Sequence, residues 1–426
     1  MLKLIKFLFF LLVLIVLSVG GLMWMAIEPA PLVVENSSQQ VEDADSVKDL
    51  MRQISDSLKN RSVSQRIDLS QSQLNSLVGF AQRAQKNFNG RVDISEAGTG
   101  FYATYKLPTN PLGRYINLDL LLLPGDGIDL EHVKIGSMAI PGRWAISIIT
   151  QLADWYTASD IATQFIEQVE HIAMTEQQMS ISIRPIDDFL RELNTVKEGL
   201  NRTGDEELIL RTSFYLKYLH ELDVGKKSTA QSLAKYIGPV FAQAQQRSNY
   251  ETAPKENEAA IMALAIYAGH YRFANFVGNV QPVKNKIAAP KTPPVLAKRA
   301  DLNQHFIFSA GIKVLSDQGL SIAIGEFKEL MDRGNGGSGY SFVDLSADFA
   351  GVKFAQTATE PEKALKIQAL LANSSNEALF FPDIKGLPEG LSKAAFTKQF
   401  KKVDSPEYRT LVQEIHRRVD ALAIHQ

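Results

Sequence analysis

Residues 90–108 read GRVDISEAGTGFYATYKLP. Val92 and Ile94 alternate with polar neighbours, and so do Phe101, Ala103 and Tyr105, which is the period-two pattern of a half-buried strand. The intervening EAGTG is rich in turn formers. A hairpin follows, and with it an antiparallel sheet in the first half of the chain. The next stretches, YINLDLLLLP and DLEHVKIGSMAIP, are separated by PGDG and extend that sheet. RWAISIITQLADWYTASDIATQFIEQVEHIAM then reads as one long helix, and QMSISIRP as a closing strand. Upstream, Ser70 is placed as the N-cap of a helix carrying Leu74, Leu77, Val78 and Ala81 on one face. Helix, meander, helix, strand makes residues 47–186 an α+β module.

This order resembles the modules of AsmA-like and YpmS-like envelope proteins over residues 60–186. The resemblance implies a curved antiparallel sheet wrapped round a helix. It further implies a site for an extended apolar ligand or a partner segment. The open alternative is a groove filled by the module's own helix.

At its amino terminus the chain carries Lys3 and Lys6, followed by 21 residues, Phe7–Ile27, without charge. That length makes a helix of about 30 Å, the thickness of a bilayer core. The reading is a transmembrane signal anchor over 1–28 that places residues 4–27 in a bacterial inner membrane. The leading lysines put the N-terminus in the cytoplasm and the body in the periplasm. A cleaved leader is the competing reading. Residues 29–46, PAPLVVENSSQQVEDADS, read as a polar tether.

Composition bounds the rest. A 426-residue chain predicts more than one folded unit. The net charge of -2 argues against a nucleic-acid partner. The absence of cysteine removes disulfides, thiolate metal sites and cysteine nucleophiles. No serine-hydrolase elbow, H-E-x-x-H or dinucleotide fingerprint occurs.

Residues 187–426 show helical periodicity and predict a mainly α-helical domain. NEAAIMALAIYAGHYRFANFVG is apolar almost all round, so it reads as a buried central helix with His270 hydrogen-bonded inside it. The chemistry concentrates in GEFKELMDRGNGGSGYSFVDLSADFAG, residues 325–351. A helix, a glycine-rich loop at 333–339 and a second helix capped by Ser341 are predicted there. Asp344 and Asp348 lie one turn apart on one face, as Glu329 and Asp332 do on the preceding helix. Like charges so placed ask for something positive between them: Lys328, Arg333, His305 or a metal ion.

The pattern QHF…SA…GEFKELMD…GGSGYSFVDLSADFAG resembles the YfiM-type envelope lipoproteins and, more distantly, the VanZ-like family. The positions that carry the resemblance are Asp301, His305, Phe306, Lys328, Glu329, Asp332, Ser341, Asp344, Asp348 and Gly351. It implies a shared geometry without an assigned reaction.

Three functions stay open. The leading expectation is a membrane-anchored periplasmic protein acting as a structural or interaction module in envelope and peptidoglycan maintenance, its cluster an ion network. The second is a glycan-acting hydrolase with His305, Glu329 and Asp348 as catalytic groups and with Lys328, Asp332, Tyr340, Ser341 and Asp344 binding; Tyr340 and Phe342 would stack on sugar rings. The third is a lipid or anion site at the helix start. No cofactor is assigned, and the alternative is a divalent cation, Mg²⁺, Mn²⁺ or Zn²⁺, among His305, Glu329, Asp344 and Asp348. Cell-wall glycan, lipid and envelope proteins are the expected partners.

Overall fold

The computed structural model describes residues 18, 20–110, 113–201, 206–278, 280, 289–316, 324, 328, 329, 337–372 and 374–426. The fold is α+β, in two compact units, Met1–Glu198 and Gly199–Gln426.

The first unit is built on the expected hairpin. Its elements begin with a short strand β1 (Ile27–Glu28), helix α1 (Val47–Lys59), β2 (Gln65–Ser70) and α2 (Gln71–Ala84). Strands β3 (Phe88–Ser95), β4 (Gly98–Asn110), β5 (Gly113–Leu123), β6 (Gly125–Asp126), β7 (Asp129–Ile135) and β8 (Met138–Pro141) follow. One antiparallel sheet has the order β3-β4-β5-β7-β8, with β1 on β5. Its register sets Val92 opposite Phe101, and Phe101 opposite Leu120. Apolar side chains therefore share one face.

The long helix expected after β8 is two, α3 (Gly142–Thr157) and α4 (Ile161–Gln168). Ala158 ends α3 in the left-handed region, with φ of 49°. VEHIAM, expected as helix, is strand β9 (Val169–Met174), followed by β10 (Gln178–Ile183) and helix α5 (Asp187–Asn201). A second sheet runs β2-β10-β9-β6. Tertiary pairing overrides helical periodicity here, because β9 supplies the hydrogen bonds that β10 would otherwise leave open on that side.

Both sheets close on one core of Val92, Ile94, Leu122, Ile172 and Met179, against which Leu69, Leu74 and Val78 pack. Burying each such side chain is worth about 1.5–3 kcal/mol. Leu74 and Val78 belong to α2, so the module's own helix packs on this core. Ser70 caps α2 in a capping box with Gln73, as the sequence predicts.

Two expectations at the amino terminus are corrected. Among the described residues no helix is long and apolar enough to cross a membrane, so the amino-terminal transmembrane helix is not supported. Residues 1–17 and 19 of that run lie outside the described residues, and helix is described over 20–26. The chain then turns into β1, where Ile27 and Glu28 pair with Ile116 and Tyr115. The reason is local: β7 pairs only with residues 118–123 of β5, so the earlier backbone groups on that side need another partner. Nor are residues 29–46 a free tether. Val33, Val41 and Ala44 are buried, and Ser76 of α2 donates to the Gln40 carbonyl at 2.9 Å.

The second unit comprises α6 (Glu206–Glu221), α7 (Ala234–Arg247), α8 (Ala253–Leu264), α9 (Ala300–Leu315), α10 (Phe342–Thr359), α11 (Ala364–Leu371), α12 (Lys393–Phe400) and α13 (Pro406–Asp420). Buried α8 continues into a π turn, Ala265–Gly269. His270 breaks the helix there: it is exposed, accepts from Arg272 N at 3.2 Å and stacks on Tyr271, contrary to the buried placement expected. The buried charge of α8 is Glu256, held by Arg211, Arg247 and Tyr215. Helices α9 and α10 cross at Phe306 and Gly351, so close that a Cβ on Gly351 would lie 2.0 Å from the Phe306 carbonyl oxygen. Phe306 packs on Phe354, Phe380 and Phe381, which places the FFP segment, residues 380–382, in the core.

Candidate functional site

The α9–α10 crossing fixes the site. His305 stands next to Phe306 on α9. Ser309 follows one turn later, so both project to the same side. On α10 the Ser341 hydroxyl accepts from Asp344 N at 3.0 Å, the N-cap expected from the sequence. That cap sets the phase of the helix and turns Asp344 and Asp348, four residues apart, towards α9.

Asp348 accepts from His305 Nδ1 at 3.1 and 3.2 Å through its two oxygens. The Ser309 hydroxyl donates to the same carboxylate at 2.7 Å. With Nδ1 as the donor to this carboxylate, Nε2 is the nitrogen left for the remaining acids. Nε2 faces two further carboxylates, Asp344 Oδ2 at 3.6 Å and Glu329 Oε1 at 4.0 Å. Glu329 is fully buried. Its Oε2 accepts from Ser341 N at 3.0 Å, and its Oε1 from Lys328 Nζ, also at 3.0 Å. One ligand atom each from His305, Glu329 and Asp344 can be chosen so that all lie within 4.8 Å of one another.

Burial is the main electrostatic influence. It raises Glu329 to about 7, aided by the charge of Asp344 and opposed by Lys328 and His305. It raises Asp344 as well, against the pull of His305 and Lys328. For His305 burial acts downward, but the hydrogen bond and charge of Asp348, with Asp344, outweigh it and the net direction is up. Glu329 is thus brought near neutrality beside His305 and Asp344, whose values also rise, the behaviour expected of a working site.

Beside the cluster lies a cavity of about 500 Å³. Its rim includes the exposed Asp301, Gln304 and Glu389, its polar wall His305, Asp344 and Asp348, and its apolar wall Phe308, Ile312 and Ile324. Arg299 at the rim binds Asp301 and Glu389, each at 2.6 Å, and reaches Asp344 at 3.5 Å. The π turn positions the apolar wall: Asn303 of α9 donates to the Ala268 carbonyl at 2.9 Å, and Gly269 lies against Phe308. π turns recur beside functional sites.

The structure therefore gathers His305, Lys328, Glu329, Ser341, Asp344 and Asp348. Tyr340 and Phe342 are not at the site. Both are buried with Phe396, Phe400 and Tyr408, and the Tyr340 and Tyr408 hydroxyls are 2.9 Å apart. Their expected stacking on sugar rings is corrected accordingly: the aromatic core of the unit takes them. Asp332 and residues 333–336 of the glycine-rich loop lie outside the described residues. Ser309, Arg299 and Phe308 were not singled out from the sequence. Ser309 had a signal, its place one turn after His305; Arg299 and Phe308 had none. The chain matches no protein-family model, no curated protein and no solved structure.

Proposed function

We propose that the second unit holds a divalent cation between His305 Nε2, Glu329 and Asp344, and uses it for metal-assisted hydrolysis of a substrate whose apolar part lies on Phe308, Ile312 and Ile324. The carrying observation is the orientation of His305. Its Nδ1 is tied to Asp348, which Ser309 also holds, and this leaves Nε2 turned on two buried carboxylate oxygens. A carboxylate that orients an imidazole in this way is the usual support of a metal-binding histidine. One nitrogen and two carboxylates suit Mn²⁺, Mg²⁺ or Zn²⁺. A bound cation would polarise the scissile group and lower the pKa of its water.

The chain's own groups do the rest. Glu329, held by Ser341 N and Lys328 Nζ, presents a carboxylate oxygen to the cation. Lys328 and Arg299 carry positive charge at the cavity, where an anionic substrate group would sit. The apolar wall excludes water from one side. A role in the cell envelope belongs to the same proposal; the cysteine-free composition and the apolar amino-terminal sequence support it.

Titration of the full chain with Mn²⁺, followed by electron paramagnetic resonance, tests this reading. Saturable binding in the wild type and its loss in His305→Ala and Glu329→Gln are expected. Absence of Mn²⁺ and Zn²⁺ binding, with Glu329→Gln melting many degrees lower, would sink it and make the cluster an ion-pair lock between helices.

A further inference from the structure

The chain contains three tryptophans, Trp24, Trp144 and Trp155, all in the first unit. All are exposed, at 69%, 58% and 81%. A large aromatic residue left so open is unusual once; here it is the whole complement. Trp144 and Trp155 stand near the two ends of α3, with Ile148, Ile149 and Leu152 exposed between them and Tyr156 beside Trp155. These positions recur at helical spacing, so they form one continuous apolar face. The other side of α3 faces β7, where Gly142 meets Leu130 so closely that no side chain would fit.

The face carries no carboxylate. The only acid of α3, Asp154, is turned to the first turn of α4, where it accepts from Ala162 N at 2.7 Å and Thr163 Oγ1 at 2.6 Å. The only base of α3, Arg143, is exposed beside Trp144. Apolar residues between terminal tryptophans, with a cation and no anion, match the boundary between lipid acyl chains and phosphate headgroups.

The chain itself points to the same surface. Its amino-terminal sequence is uncharged from Phe7 to Ile27, and the described end of that run exposes Leu22, Met23, Trp24 and Met25. The Met25 carbonyl accepts from Ser137 N at 2.8 Å and from Ser137 Oγ at 3.0 Å. Ser137 precedes α3 by five residues. The described end of the apolar run is thus tied to the segment that leads through β8 into α3.

We propose that this face of α3, together with Leu22–Met25, is a lipid-binding surface that seats the first unit at the headgroup level of a bilayer. The sheet behind the helix stays out of the acyl layer. This surface contact is independent of the cation site.

Tryptophan emission tests it in the full chain, on a Trp24→Phe background so that only Trp144 and Trp155 report. The probe is a phosphatidylcholine–phosphatidylglycerol vesicle, with and without lipid brominated near the headgroup end of its acyl chains. The amino-terminal run could hold the chain on vesicles by itself, so the environment of Trp144 and Trp155 is read rather than flotation. A blue shift on vesicles, quenching by the brominated lipid, and loss of both in Ile149→Glu/Leu152→Glu are expected. Far-ultraviolet circular dichroism of that variant should be unchanged, since both positions are exposed. Emission that ignores vesicles overturns the proposal. So does a blue shift that needs no lipid and grows with protein concentration, because a second copy then covers the face.

Discussion

His305 shows how a single side chain acquires direction. An isolated imidazole has two equivalent uses for its nitrogens, and Asp348 removes the ambiguity by accepting at Nδ1. Asp348 is thus a positioning residue in the proposed cation site. Asp348→Asn keeps an acceptor for Nδ1 but removes the charge behind it, and Mn²⁺ affinity should fall by about 10–100-fold. Calorimetric titration reads this directly, and an unaltered affinity would remove Asp348 from the site. A second histidine reports on stability. Burial, then the charge of Lys353, pushes His425 down to about 4, and its Nδ1 lies 2.8 Å from Thr357 Oγ1. Because the folded value lies below the ordinary 6.5, the stability it contributes is present in full above pH 6.5 and is lost as the pH falls through about 4. The melting temperature should therefore fall less steeply between pH 6.5 and 4 in His425→Gln than in the wild type; parallel curves would contradict this.

At the scale of elements, the α9–α10 crossing matters most, since it supplies four of the polar groups at the site. It depends on Gly351, whose missing side chain lets the Phe306 carbonyl approach. Gly351→Ala forces the helices apart and should cost about 1–3 kcal/mol. It should also weaken Mn²⁺ binding, because His305 and Asp348 separate with their backbones. The capping hydroxyl offers a milder test. Ser341→Ala removes the bond to Asp344 N and should cost about 1 kcal/mol in denaturant unfolding. Much at this scale was legible: the α2 and α10 caps, the β3–β4 hairpin and the closing β10 follow from local residues. The α3–α4 break, β9 and the π turn were not. Each satisfies backbone or packing demands set by elements distant in sequence, to which a periodicity is blind.

For the whole molecule, the division into two compact units predicts two unfolding transitions in scanning calorimetry. Gly351→Ala should lower one of them and leave the other in place; a single transition that shifts as one would show the units to be thermodynamically coupled. Composition, charge pattern and the turn at EAGTG were enough to determine an α+β first half, a helical second half and the residue types of an acidic–histidine cluster, because period and turn chemistry are local properties. Tertiary structure alone decided which acid orients His305 and which two face its other nitrogen. It took Tyr340 and Phe342 into the core, and it left the three tryptophans in the open. Those outcomes depend on which helix faces cross and how closely, and the close contact between Phe306 and Gly351, 45 residues apart in the chain, sets that geometry.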